Sequence, residues 1–268
     1  MNKITAIINN LEEAKEINDL VDAYIMPLTG LSINYHHTFS LEEIEKALKL
    51  NKEIFVSVNK NIHNDELPKL KEALTKLTKL KISGIIFYDI SIVNLKKKMN
   101  FKTPLVWAQE HLTTNYGTVN YWNEKGAQYA YLSSELTKRE ILEIKENSKS
   151  KLFVNIFGYL PMFTSRRHLV KNYVETFDIK ENDRQAKLSK EGNDYLIEDT
   201  KLGTTVYSSY ILNATEEDFK NVDYLVFNSN FIETKDFKEV LTDYKNKKPN
   251  KYPKNLGFMF EDTIYKVK

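Results

Sequence analysis

Short runs of β-branched and aromatic residues alternate with longer stretches of helical periodicity, and this rhythm restricts the chain more than any other feature. Candidate strands are Ile4–Ile8, Tyr24–Leu28, Ile54–Val58, Gly84–Tyr88, Leu105–Ala108, Gln128–Leu132, Leu152–Ile156 and Tyr224–Asn228. Near-continuous apolar runs of this length suit strands covered on both faces, as in a parallel sheet with crossover helices. Eight such runs fit a closed (β/α)8 TIM-like barrel. Helix signals fill the gaps. Ser40 precedes LEEIEKALKL with Glu43 three residues on, and Thr137 precedes KREILEIKEN with Glu140 at the same offset; both are capping boxes. Asn64 precedes DELPKLKEALTKLTKL, where Leu67, Leu70, Leu74 and Leu77 form one stripe.

The rhythm breaks after Asn172. Residues 184–208 alternate in the manner of strands, with turn signals at Glu191-Gly192-Asn193 and at Gly203. A small antiparallel β insertion is expected there, before a last βα unit with a helix near Asp236–Tyr244. Further strand-like runs stand at Gly257–Phe260 and Thr263–Val267. No repeat or low-complexity linker divides the chain, so residues 1–268 read as one barrel domain carrying an insertion.

Composition excludes several chemistries. With no cysteine there is no disulfide, thiol nucleophile or cysteine-held iron–sulfur cluster. HExxH, GxSxG, P-loop and GxGxxG motifs are absent, and the five histidines lack ligand spacing, so no metal site is expected. No apolar run approaches the roughly 20 residues that cross a bilayer. The N-terminus lacks the h-region of a signal peptide, which makes a cytoplasmic location the expectation. A net charge of +2 gives no global field for nucleic acid.

In a parallel barrel the working face lies at the C-terminal strand ends. Polar residues just past the strands are therefore the candidates. Asp89, Glu110 and Glu135 are the candidate acid–base groups. Asn59, Asn115, Ser165, Arg166 and Arg167 are candidates for substrate or anion binding. The adjacent arginines stand out in a chain whose positive charge is nearly all lysine, and a guanidinium fork suits carboxylate or phosphate. Each residue has a plainer reading: Asp89 as a helix cap, Asn59 as a turn residue, the arginines as solvated charge.

The blocks NKNIHNDELPKL, GIIFYD, QEHLTTNYGTVNYWNEKGAQYAYLSSELTKREI, FGYLPMFTSRRHLVKNY and GFMFEDTIYKVK, in that order, resemble the collagenase-like peptidase family U-32. The likeness is to its short members from low-GC bacteria. The resemblance implies a barrel-like domain and two functional traditions, peptidase (hydrolase) activity and RNA modification. The latter includes prephenate-dependent hydroxylation of the tRNA wobble uridine. It also implies tRNA and a larger family U-32 subunit as partners, and prephenate as a small-molecule ligand. Within the family's signature Gly158 is kept, Ser165 and Arg167 resemble the Ser-x-Arg step, and Glu135 resembles a strand-end glutamate. Phe153 stands at the acidic position, Phe157 at the histidine position, and Pro161 and His168 at cysteine positions. Those departures remove cluster chemistry and leave three readings open: a tRNA-hydroxylation enzyme or accessory chain, which is favoured, a peptidase, or a non-catalytic partner.

Overall fold

The computed structural model describes residues 2–109, 111–179 and 185–261. Eight parallel strands close a barrel: β1 (Lys3–Ile7), β2 (Ala23–Pro27), β3 (Glu53–Val58), β4 (Gly84–Phe87), β5 (Leu105–Trp107), β6 (Tyr129–Tyr131), β7 (Lys151–Ser165) and β11 (Tyr224–Asn228). Closure comes from β11, which pairs with β1 on one side and with β7 on the other. Helices α1 (Leu11–Glu16), α2 (Leu41–Ala47), α3 (Leu67–Leu77), α4 (Ser91–Met99), α5 (Tyr116–Glu124) and α6 (Lys138–Asn147) follow the first six strands, and α8 (Thr234–Lys245) follows β11. The capping boxes at Ser40 and Thr137 are both formed. A 3-10 turn, Asn64–Glu66, intervenes before α3, whose Leu70, Leu74 and Leu77 are buried.

Alternation along each strand divides the core in two. Outward side chains such as Tyr24, Val56, Phe87 and Phe227 pack under the helices. Inward ones, including Phe55, Phe153, Tyr224 and Val226, fill the barrel. Phe153 lies flat against Tyr224, with ring centroids 4.2 Å apart and planes 9° from parallel, and Phe55 meets both edge-on. Below this layer Lys3 pairs with Glu53 at 2.7 Å, and the Tyr224 hydroxyl donates to the same carboxylate at 3.1 Å. The N-terminal end of the barrel is therefore plugged by aromatic rings and an ion pair, which leaves the C-terminal mouth as its open end.

The insertion is larger than the alternation over 184–208 implies. β7 runs on past the barrel rim, and α7 (Leu169–Thr176), β8 (Gln185–Lys190), β9 (Asn193–Thr200) and β10 (Gly203–Asn213) complete an antiparallel arm in the order β7-β10-β9-β8. Gly158 marks the departure. Pairing with β11 ends at Phe157, which already pairs with Asn213 of β10, and from Gly158 onward β10 is the strand's partner. At φ +115° a Cβ on residue 158 would lie 2.4 Å from the Asn228 carbonyl oxygen, so only glycine passes there. The hairpin turn between β8 and β9 falls at Glu191-Gly192, both with positive φ, as the turn signal implies.

Gly257–Phe260 forms turns instead of the strand its apolar residues suggest; Met259 is buried there against the core. Thr263–Val267 lies outside the described residues. No helix among the described residues is long and apolar enough to cross a membrane.

Candidate functional site at the barrel mouth

The C-terminal strand ends enclose a pocket of about 880 Å³, its open mouth included. Its apolar part, Ile7, Ile86 and Ala108, is continuous with the barrel-interior core. Tyr35, Tyr88, Tyr131 and Tyr159 contribute rings, and Asn155, from within β7, and Asn228, from the end of β11, contribute amides. The arm supplies Pro161 and Met162, so β7 serves both barrel and pocket wall.

Internal bonds hold these polar groups in place. Asn155 accepts from the Tyr131 hydroxyl at 2.6 Å and donates to Ser134 Oγ at 2.9 Å. Asn228 donates to the Tyr159 carbonyl at 3.1 Å and accepts from the Asn230 N–H at 2.9 Å. Tyr35 is positioned through its neighbours in the β2–α2 loop. Asn34, at φ +69°, accepts from Thr164 and Thr205 of the arm, and His36 meets Glu198 of β9 at 2.7 Å while packing on Phe231. The Glu198 carboxylate raises the His36 pKa above the ordinary histidine value.

The candidate residues divide. Glu135 lies on the rim of the pocket, exposed, with its carboxylate 3.3 Å from His111 Nδ1. Asn59 lines the pocket but is committed to the chain itself, accepting from Ile33 N and donating to Ile33 O, both at 3.0 Å. Asp89 lies outside the pocket, in an adjoining groove with Trp107, Tyr121 and Trp122. Its two oxygens accept from Ile62 N and Ser91 N, each at 2.8 Å, so the carboxylate holds a loop and a helix start. Asn115 is the N-cap of α5, accepting from Thr118 N. Ser165 accepts from Arg167 N at the far end of β7. Arg166 and Arg167 are exposed on the arm and do not line the pocket, and Arg166 contributes to lowering the Glu66 pKa, mainly set by Lys60. Glu110 lies outside the described residues.

The departures from the family signature have a structural meaning. Phe153 and Phe157 are fully buried, the first in the barrel interior and the second against Phe227, Phe237 and Tyr252. Packing has taken positions where the resemblance expects an acid and a histidine. His168 precedes α7, and Pro161 lines the pocket. Asn34, His111, Tyr131, Asn155 and Asn228 are pocket residues that reading strand ends alone passes over. Asn155 in FVNIF and Asn228 in LVFNS were legible as amides inside otherwise apolar strands. Among the described residues that line the pocket, His111 is the one side chain able to carry positive charge, a sparse set for a dicarboxylate such as prephenate. Among the described residues no cluster of three or more histidine, aspartate or glutamate side chains could hold a metal.

Comparison with known proteins agrees with this architecture. The chain is 28% identical to tRNA hydroxylation protein P2 of Bacillus subtilis, over 85% of this chain and 87% of that protein. It is 26% identical to tRNA hydroxylation protein P1 of the same organism over 52% of this chain, and 28% identical to tRNA hydroxylation protein P of Escherichia coli over 50%. These matches span only 34% and 30% of those longer proteins. The solved structure of the U32 peptidase Mk0906 superposes with a TM-score of 0.57, covering 85% of this chain and 92% of that one, at 13% identity, a likeness of fold alone. The family model for peptidase family U32 matches residues 10–226, and the chain belongs to that family.

Proposed function

We propose that this chain acts in tRNA hydroxylation, with the barrel mouth as its working site and a larger family U32 chain as its partner. The observation that carries the proposal is the similarity to tRNA hydroxylation protein P2, which covers 85% of this chain and 87% of that protein. The partial matches to longer proteins of the same naming support a partner that supplies what this chain lacks. Chemistry that needs cysteine-held iron–sulfur clusters would fall to that partner, because this chain has no cysteine.

A peptidase reading has the family label and a match to an uncharacterized protease of Methanocaldococcus jannaschii over 46% of the chain. The site supports it less well. A serine nucleophile needs an adjacent general base, most often a histidine. Ser133 and Ser134 instead accept from Glu135 N and Asn155 Nδ2. The test is mass spectrometry of tRNA nucleosides from a strain lacking this chain. Loss of hydroxylated uridine supports the proposal, and an unchanged nucleoside profile refutes it.

A further inference from the structure

The arm reverses the usual layering of a sheet on a domain. In register across it, Phe163 of β7 opposes Val206 of β10, Val206 opposes Ile197 of β9, and Ile197 opposes Ala186 of β8. Directly opposed residues share a face, so this apolar row lies on one side of the arm. The neighbouring row, Thr164, Thr205 and Glu198, lies on the other side. That polar side is turned to the barrel, where Thr164 and Thr205 donate to Asn34 and Glu198 meets His36. The apolar side is turned outward, and α7 covers only part of it. Asp199, two residues beyond Ile197 and so on the same face, accepts from Val170 N and Lys171 N at 3.4 and 2.9 Å. The contacts of the helix fall on the inner strands β9 and β10. Phe163 on β7 and Leu188 on β8, the outer strands, stay 55% and 48% exposed.

The helix adds to this surface. Val170 is buried and Val174 partly so, which turns that side of α7 to the sheet. At 100° per residue, Leu169, Tyr173 and Phe177 then form one flank, and Lys171 and Glu175, 3.7 Å apart, form the opposite one. The apolar flank is exposed, and the Tyr173 and Phe177 rings lie 4.7 Å apart along it. Taking about 200 Å² for a large side chain, these three residues with Phe163 and Leu188 leave roughly 500 Å² of apolar surface open. One side of a standard interface covers about 800 Å², some 60% of it apolar, so the area matches what a stable dimer needs.

We infer that the outer face of the arm is covered by the same face of a second copy of this chain, in a two-fold dimer. The face carries a ridge, α7, beside open strands, so a two-fold axis sets the ridge of each copy on the open strands of the other. Self-complementarity of this kind is what an isologous contact requires. Charge does not oppose it, because Lys171 and Glu175 pair with each other on the far flank. The edge of β8 is a poorer place for the contact. The turn at Glu191-Gly192 leaves the backbone groups of Gln185, Lys187 and Ser189 facing outward, and full-length antiparallel self-pairing there would set Lys187 against its own copy. A copy seated on the outer face braces the same strands that hold Asn34 and His36, on either side of Tyr35, on the inner face. The dimer stands apart from the tRNA role and does not depend on it.

The test is sedimentation velocity of the full chain over about 1–100 µM. A species of twice the chain mass is expected at the upper end. Tyr173→Glu, which sets carboxylates into the apolar contact, is expected to weaken association about thirtyfold or more. Tyr121→Glu alters a comparably exposed tyrosine on α5, outside the arm, and is expected to leave association unchanged. If Tyr173→Glu fails to fold, Leu188→Glu on the open strand carries the test. A wild-type chain that stays monomeric throughout would overturn the inference, as would a dimer that Tyr173→Glu and Leu188→Glu both leave intact. A monomeric chain that instead binds a larger family U32 chain through Tyr173 would also overturn it, because the face would then have a different occupant.

Discussion

Replacing Gly158 with alanine tests whether the crossing of β7 over β11 builds the mouth. Two costs add at this position. Holding a non-glycine residue at φ +115° costs roughly 1–3 kcal/mol. The new Cβ would also lie 2.4 Å from the Asn228 carbonyl oxygen and 2.7 Å from Asn228 Cβ, so one of the two strands must move. Forcing an extra methyl into a packed site costs about 1–3 kcal/mol more. The sum is roughly 2–6 kcal/mol, and at about 2–4 °C per kcal/mol for a chain near this size the melting temperature falls by roughly 4–24 °C. Gly126→Ala is the internal control. Gly126 also has positive φ, +96°, but a Cβ there meets nothing within 4 Å, so only the conformational cost applies. Urea denaturation of both variants, with midpoint shifts at unchanged slope, separates the terms. Gly158→Ala should destabilise by clearly more than Gly126→Ala. Equal losses would mean that the approach of β7 to Asn228 is not tight, and would refute the account of how β7 leaves the barrel.

Three further outcomes are expected. Phe153→Ala removes a fully buried ring stacked on Tyr224 and should cost about 3–5 kcal/mol in urea denaturation; a loss under about 1 kcal/mol would contradict the packed interior. Because Glu198 raises the folded-state pKa of His36, the stability of that pair is complete below the unfolded histidine pKa of about 6.5 and is lost as pH rises through the folded value. His36→Gln should therefore flatten the stability–pH profile over that window, and an unchanged slope would show that the pair does not help fasten the arm. Arg166→Lys and Arg167→Lys should each change stability by no more than about 0.5 kcal/mol and leave tRNA hydroxylation in the complemented strain intact; a selective loss of hydroxylation would bring the arginines into the working site.

The barrel was legible because its signals are local and repeated. Runs such as IFVSV and GIIFY, separated by capped amphipathic helices, specify strand and helix one unit at a time. The extent of the arm was less so, because β7 continues through Gly158 and nothing in KLFVNIFGYLPMFTS shows that pairing with β11 stops at Phe157 while pairing with β10 runs on from there. Choosing polar residues just past the strands located Glu135 and Asn59 at the mouth, but it could not separate lining groups from caps. Asp89 and Asn115 are spent on backbone N–H groups, a commitment visible only when both partners are in place. The arginine pair misled for another reason. Its charge suits an anion site, yet the arm carries it beyond the rim, and the pocket is built of tyrosines and asparagines from six different segments.

The most direct measurement is to return the chain to a strain that lacks it, as wild type and as Ser134→Trp, and to quantify hydroxylated uridine in its tRNA by mass spectrometry. Wild type should restore the modified nucleoside, whereas the variant with a blocked mouth, matched for abundance and melting temperature, should not. Full restoration by Ser134→Trp would contradict the assignment of the barrel mouth as the working site.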